Sequence, residues 1–262
     1  MFLFERLSRR RPCSLAAIAL LLAAALWSGG GCAPSATPPS QRQPVSEESA
    51  RDGAEEQNVL PPQSEPAVNS LFDGKSLEHW ERTNFGGEGE VEVVDGAILL
   101  QRGQDMTGVH WTGAPLPKVN YEVTLEAQRI EGSDFFCCIV FPVKDEYCSF
   151  VAGGWGGSTI GLSSVDGMYA AENETGTYAN FEEKKWYKIR LRVTDQIILA
   201  WIDGKEYVHL PTKNRKFTVH PSVEVSKPFG LSCFATVASL RNIELRQLEE
   251  DEIAQSAAEA AE

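Results

Sequence analysis

Apolar and polar side chains alternate along the middle of this chain with period two. From Tyr187 to Val193 the apolar Tyr187, Ile189, Leu191 and Val193 are separated by Lys188, Arg190 and Arg192, the pattern of a strand with one face buried. Tyr121, Val123, Leu125 and Ala127 alternate in the same way with Glu122, Thr124, Glu126 and Gln128. Leu240, Ile243 and Leu245 follow it with a break in phase near Arg241, as a bulge would produce. Asp95-Gly96, Asp166-Gly167 and Asp203-Gly204 supply residues that tolerate the positive φ of tight turns and predict three hairpins. No stretch of helical length between residues 69 and 248 keeps an i, i+3, i+4, i+7 apolar stripe. The expected fold class is therefore all-β and antiparallel, with roughly a dozen strands in a two-sheet jelly-roll sandwich. Trp80, Trp111, Trp186 and Trp201 lie in or beside these strands and are expected mostly to pack.

The flanks read differently. Arg6, Arg9, Arg10 and Arg11 precede an apolar run from Leu15 to Trp27, shorter than the ~20 residues that span a hydrocarbon core. Residues 1–32 are read as a signal peptide, and the small residues Ser28 to Gly31 ahead of Cys32 resemble a bacterial lipoprotein cleavage site. Gly29 stands where such sites usually carry Leu, so ordinary secretion with a cut near Gly31 is the alternative. Residues 33–68 hold seven of the fourteen Pro and form a linker with too little apolar material to order itself. Residues 249–262 carry six acidic residues and are expected to be a solvated tail, helical at most and with little apolar face to dock. An exported protein, periplasmic or at the cell surface and tied by lipid to a bacterial membrane, is the resulting expectation.

The net charge is −13, against the clustered Lys and Arg that phosphate neutralisation requires, so nucleic acid is excluded as a partner. Residues 69–248 retain 18 basic and 24 acidic residues. Six Cys and no Cys-x-x-Cys pair argue against a disulfide scaffold and against structural zinc. Cys137 and Cys138 are adjacent on a strand, so their side chains point to opposite faces and only one belongs to the core. A two-residue turn near Lys144-Asp145 sets Cys148 opposite Phe141. Cys233 is within reach of Cys137 or Cys138 across the sandwich, or all remain free buried thiols.

The segment LFDGKSLEHW (71–80) resembles the opening of the 3-keto-disaccharide hydrolase-like domain family. VEVVDGAILL (91–100), WYKIRLRV (186–193) with ILAWIDGKEYV (198–208), and LRNIELRQL (240–248) resemble its later hairpins and closing strand in the same order. The resemblance implies a concanavalin-like sandwich that processes carbohydrate by hydrolysis or elimination of 3-keto-glycosides. Members usually carry an Arg ending the strand after an Asn-Ser-Gly turn, a Glu-x-Gln strand following it, and Gln-Asp-His-Gly before the closing strand. The corresponding segments here are GSDFFCCIVFPV (132–143), YCSFVAGGWGG (147–157) and GLSCFATVASLRNI (230–243), which lack those groups. A non-catalytic glycan-binding or structural module is therefore the rival to a hydrolase or lyase.

A 3-keto group acidifies the C2 proton, so elimination of the C1 oxygen needs a base, an acid and a group that stabilises the enediolate. The Gly-rich stretch 153–176 gathers Trp155, Asp166, Glu172, Asn173 and Glu174. Trp155, between two Gly pairs, is a candidate to stack on a sugar face, with a packed bulge as the alternative. Asp166 and Asn173 are further candidates for substrate binding, although Asp166 most simply serves its turn. On extended backbone Glu172 and Glu174 share a face, suited to acid-base work or to a hard cation such as calcium; a solvated acidic loop is the plainer reading. Of the four His, His79 belongs to the opening motif and His209 and His220 lie near turns, leaving His110 beside Trp111 as the candidate base. The face formed by Lys188, Arg190 and Arg192 suits an anionic sugar or simply water.

Overall fold

The computed structural model describes residues 68–261; the leader, most of the linker and the lipidation candidate Cys32 lie outside the described residues. The strands run as β1 (Val68–Ser70), β2 (Trp80–Arg82), β3 (Val91–Val94), β4 (Ala97–Leu100) and β5 (Met106–Trp111). The long strand β6 (Tyr121–Gly132) leads into β7 (Cys137–Val143), β8 (Glu146–Gly153), β9 (Thr159–Ser163) and β10 (Thr177–Tyr178). The chain continues through β11 (Trp186–Val193), β12 (Ile197–Ile202), β13 (Lys205–Pro211), β14 (Gly230–Phe234) and β15 (Thr236–Gln247). All ladders are antiparallel. The first sheet is ordered β13-β12-β11-β6-β15-β4-β3, with β1 also on β15; the second is ordered β10-β9-β8-β7-β14-β5-β2.

The alternating residues of β6, β11 and β15 enter one core with Ile139, Phe141, Phe150 and Leu231 of the second sheet, so the period-two pattern becomes a two-layer sandwich. The phase break near Arg241 is a register shift between Arg241 and Glu244, where Asn242 takes φ 51°. The Asp95-Gly96 and Asp203-Gly204 turns close the β3–β4 and β12–β13 hairpins, and Phe141 pairs with Cys148 across the Lys144 turn. Asp166-Gly167 instead closes an isolated Val165–Met168 bridge. Its side chain is turned to Arg215 and to the amide of Lys216, so the flanking chain pairs elsewhere and no ladder grows from it.

Three further expectations are corrected by what covers the sheets, and of the two open readings of Cys233 the free buried thiol is the one found. Trp80 and Trp111 are core, but Trp186 and Trp201 lie on the outer face of the first sheet under the guanidinium groups of Arg241 and Arg190, at 4.0 and 3.8 Å. Cys137 enters the main core and Cys138 a second apolar cluster on the opposite face, so both are buried. Cys233 and Cys137 belong to neighbouring strands of one sheet, and Cys137, Cys138, Cys148 and Cys233 are all free. Finally, residues Glu250–Glu259 form a helix that packs on β12. It docks by charge: Glu252 accepts two hydrogen bonds from Arg246, both 2.7 Å, and one from Arg192 at 2.9 Å. Arg246 and Arg192 also hold the buried Glu122.

A candidate glycan cleft on the second sheet

The outer face of the second sheet carries a cleft of about 250 Å³. Strand alternation places Met106 of β5, Cys138 of β7, Ser149 and Val151 of β8, Ser163 of β9 and Phe234 of β14 along it. Its walls are Asp134 and Phe135 from the β6–β7 turn, Trp155 from the turn after β8, and His220, Ser222 and Val223 around the 3₁₀ turn Pro221–Ser226.

Trp155 is 48% exposed, an unusual state for so large an apolar side chain in this fold. Its backbone is left-handed, at φ 47° and ψ 55°, which costs a residue with a Cβ about 1–2 kcal/mol. The Gly on either side supply the rest of the turn, with Gly153 at φ 81° and Gly156 at φ 87°. Asp134 fastens the turn from the cleft side: one carboxylate oxygen accepts from the amide of Gly156 at 2.9 Å and the other from that of Phe135 at 2.8 Å.

On the opposite wall, His220 Nδ1 accepts from the amide of Ser222 at 3.2 Å and lies 2.7 Å from its hydroxyl. With Nδ1 used as an acceptor, the neutral ring carries its proton on Nε2 and presents a donor. The Tyr169 ring lies against the imidazole, 4.7 Å between centroids and tilted by 52°. In the floor, Cys138 is pushed up to about 12 by burial, a neutral thiol and no nucleophile.

Of the residues picked from the sequence, Trp155 alone lines this cleft. His110 sits on the same outer face four residues along β5 from Met106, about 13 Å away. It is 3.1 Å from the hydroxyl of Thr83 and 3.9 Å from the Glu81 carboxylate. Residues 169–176 coil into successive turns, with the Asn173 amide donating to Tyr169 and that of Gly176 to Asn173, so Glu172 and Glu174 do not share an extended face. Glu172 accepts from the Tyr169 amide, while Glu174 and Asp166 both pair with Arg215. The Lys216 amide and the Arg215 guanidinium hold Asp166 below its ordinary value. Asn173 is buried, donating to the carbonyls of Leu162, Met168 and Tyr169 and accepting from Thr175. Among the described residues no cluster of His, Cys, Asp and Glu is arranged to hold a metal ion.

Residues 67–246 match the 3-keto-α-glucoside-1,2-lyase-like domain family. The chain belongs to that family. The three segments in which the groups expected of this lyase-like family are lacking all meet in the cleft. Residues 132–143 contribute Asp134, Phe135 and Cys138, residues 147–157 contribute Ser149, Val151 and Trp155, and residues 230–243 contribute Phe234. No curated protein matches the chain. Among solved structures it is similar to a protein with a galectin-like fold from Bacillus subtilis, 12% identical, covering 69% of this chain and 94% of that one at a TM-score of 0.49. It is also similar to a Crh5 transglycosylase in complex with NAG, at 11% identity, 70% and 84% coverage and TM-score 0.48. The endo-β-1,3(4)-glucanase SCLam is 12% identical over 71% and 95% of the two chains, at TM-score 0.46.

Proposed function

We propose that the cleft binds carbohydrate, with Trp155 as the platform on which a sugar ring stacks. The observation that carries this reading is a tryptophan held in a left-handed turn, half open to water, at the edge of a cleft that also offers Ser222 and His220, with Ser149 and Ser163 buried in its floor. A sugar has an apolar C–H face and a rim of hydroxyls, and an aromatic plane beside small hydroxyl and imidazole groups complements both. From the segments where the family resemblance leads one to expect an Arg, a Glu-x-Gln pair and a His, the cleft takes a single carboxylate, Asp134, beside Phe135, Cys138, Ser149, Val151, Trp155 and Phe234, and that carboxylate is engaged by two backbone amides. Recognition therefore suits this lining better than turnover. Titrating the protein with a 3-keto-disaccharide and with its unoxidised parent, followed by tryptophan fluorescence and calorimetry, tests the reading. Binding should weaken at least about fivefold in Trp155→Ala, the order expected for one lost aromatic contact. Affinity untouched by that substitution would move the site elsewhere.

A second reading, elimination or hydrolysis of 3-keto-glycosides, is favoured by family membership and by Asp134 and His220 lining one cleft. In it Asp134 takes the C2 proton, the Nε2–H of His220 meets the oxyanion developing at C3, and the C1–O bond breaks as the C1–C2 double bond forms, the departing oxygen taking its proton from water. Both Asp134 oxygens already accept an amide hydrogen bond, so taking a proton from substrate would give up part of the hold on the turn. Release of 3-ketoglucose or a 2-hydroxy-3-keto-glucal from the disaccharide, with kcat lost in Asp134→Asn beyond what its weakened sugar affinity explains, would establish it. We also propose that the domain is exported and tethered through lipid on Cys32; palmitate labelling abolished by Cys32→Ser is the expected result.

A further inference from the structure

The alternation of β6 places Arg129 on the inward side, after Tyr121, Val123, Leu125 and Ala127. It is 6% exposed and lies at the end of the sandwich, between the rings of Phe136 and Phe181 at 5.3 and 6.0 Å. No carboxylate pairs with it among the ion pairs of the described residues. A buried guanidinium without an ion pair is costly unless its donors are used. Here Nη2 donates to the carbonyls of Asp134 at 3.1 Å, Gly153 at 3.4 Å and Gly157 at 2.9 Å. Those carbonyls belong to both ends of the Trp155 turn and to the residue whose carboxylate holds its middle amide. A Cβ at Gly153 would lie 2.6 Å from Nη2, so the glycine there is what admits the guanidinium.

We propose that Arg129 is the positioning residue of the cleft, a clamp behind the sheet that fixes Trp155 in its ligand-facing pose without touching the ligand. This rests on the carbohydrate reading for its consequence, though not for its geometry. The turn is strained and glycine-rich, so with nothing gripping Gly153 and Gly157 it relaxes among many conformers. All three bonds come from Nη2, at the far end of the side chain; lysine keeps the charge, but its ammonium falls short of that position and lacks the planar group that lies against Phe136 and Phe181.

The test compares Arg129→Lys and Asp134→Asn with Arg192→Lys, a substitution of another buried arginine remote from the turn, each with and without Trp155→Phe. Subtracting the paired spectra isolates the emission of Trp155 and its quenching by acrylamide, and affinity for the 3-keto-disaccharide is measured alongside. Arg129→Lys should raise Trp155 quenching at least twofold and weaken binding about tenfold; Asp134→Asn should do the same to a smaller degree, and Arg192→Lys should do neither at equal loss of Tm. Unchanged quenching in Arg129→Lys, or an equal effect of Arg192→Lys, overturns the clamp. If the native protein binds no sugar, the carbohydrate reading fails while the quenching comparison still decides the role of Arg129.

Discussion

Replacing Glu252 by Gln should undock the C-terminal helix while leaving the sandwich folded. Glu252 sits in the first turn of that helix, and its carboxylate is gripped by Arg246 and Arg192. Hydrogen bonds from Arg246 above all hold its titration down to about 2 from an ordinary 4.5. At about 1.4 kcal/mol per tenfold change in proton affinity, that difference corresponds to about 3 kcal/mol at full value. The side chain is 23% exposed, so water screens the pairing, and we take about half, or 1–2 kcal/mol. The helix offers few apolar side chains to compensate, and a loss of that size speeds local opening about tenfold. Amide exchange of residues 253–258 at pH 7 should accelerate by this factor in Glu252→Gln, with the amides of β6 and β11 unchanged. The sign with pH follows from the depressed value. The contribution is fully present above 4.5 and is lost as pH falls from 4.5 towards 2, so native and Glu252→Gln proteins should converge in helix content over that interval. Equal exchange at pH 7, or a difference that persists at pH 2, would refute a helix held by charge.

Three other outcomes follow from packing. Phe150 is fully buried between the sheets, and Phe150→Ala should cost about 3–5 kcal/mol in urea denaturation; a loss below 1 kcal/mol would mean that the core collapses around the gap. Burial pushes Cys138 and Cys233 up to about 12, so a thiol reagent at pH 8 should leave all four described Cys unlabelled until denaturant is added, and rapid native labelling of Cys138 would mean that the cleft floor is open. Asn173 satisfies three carbonyls and Thr175 from one buried side chain, so Asn173→Ala should destabilise by about 2–4 kcal/mol at about 1 kcal/mol per lost bond, read by thermal melting, with no change in sugar affinity beyond that caused by unfolding.

The sandwich was legible wherever one face of a strand is dry and the other wet. Tyr187 to Val193 announces itself because Lys188, Arg190 and Arg192 line the outer side of β11, and the Phe141–Cys148 register followed from a two-residue turn. The cleft was not legible for the same physical reason. Its floor strands β7 and β8 are apolar on both faces, because Met106, Cys138, Val140, Val151 and Val223 form a second cluster outside the sheet, and period two carries no signal when both sides are buried. Asp134 and His220 come from separate turns brought together only by the fold. Trp155 was found because flanking glycines mark backbone that cannot be ordinary strand. Arg129 had a signal that went unused, since the alternation of β6 continues past Ala127 and puts a charge where an apolar residue belongs.

The acidic loop shows why a dense group of carboxylates is weak evidence of chemistry. Asp166 and Glu174 approach one guanidinium, that of Arg215, and Glu172 closes a backbone turn, so each is already committed to a partner and less free to meet a ligand. The residues left for a ligand are those whose second partner is missing or whose exposure has no packing reason. Trp155 is exposed where the fold elsewhere buries its tryptophans or stacks them under arginine. His220 lines the same cleft as the indole; its Nδ1 is tied to Ser222, and no bond within the described residues is made by its Nε2. A pyranose ring, with an apolar C–H face for one and an acceptor oxygen for the other, would satisfy both at once, which is the ligand class the proposed function calls for.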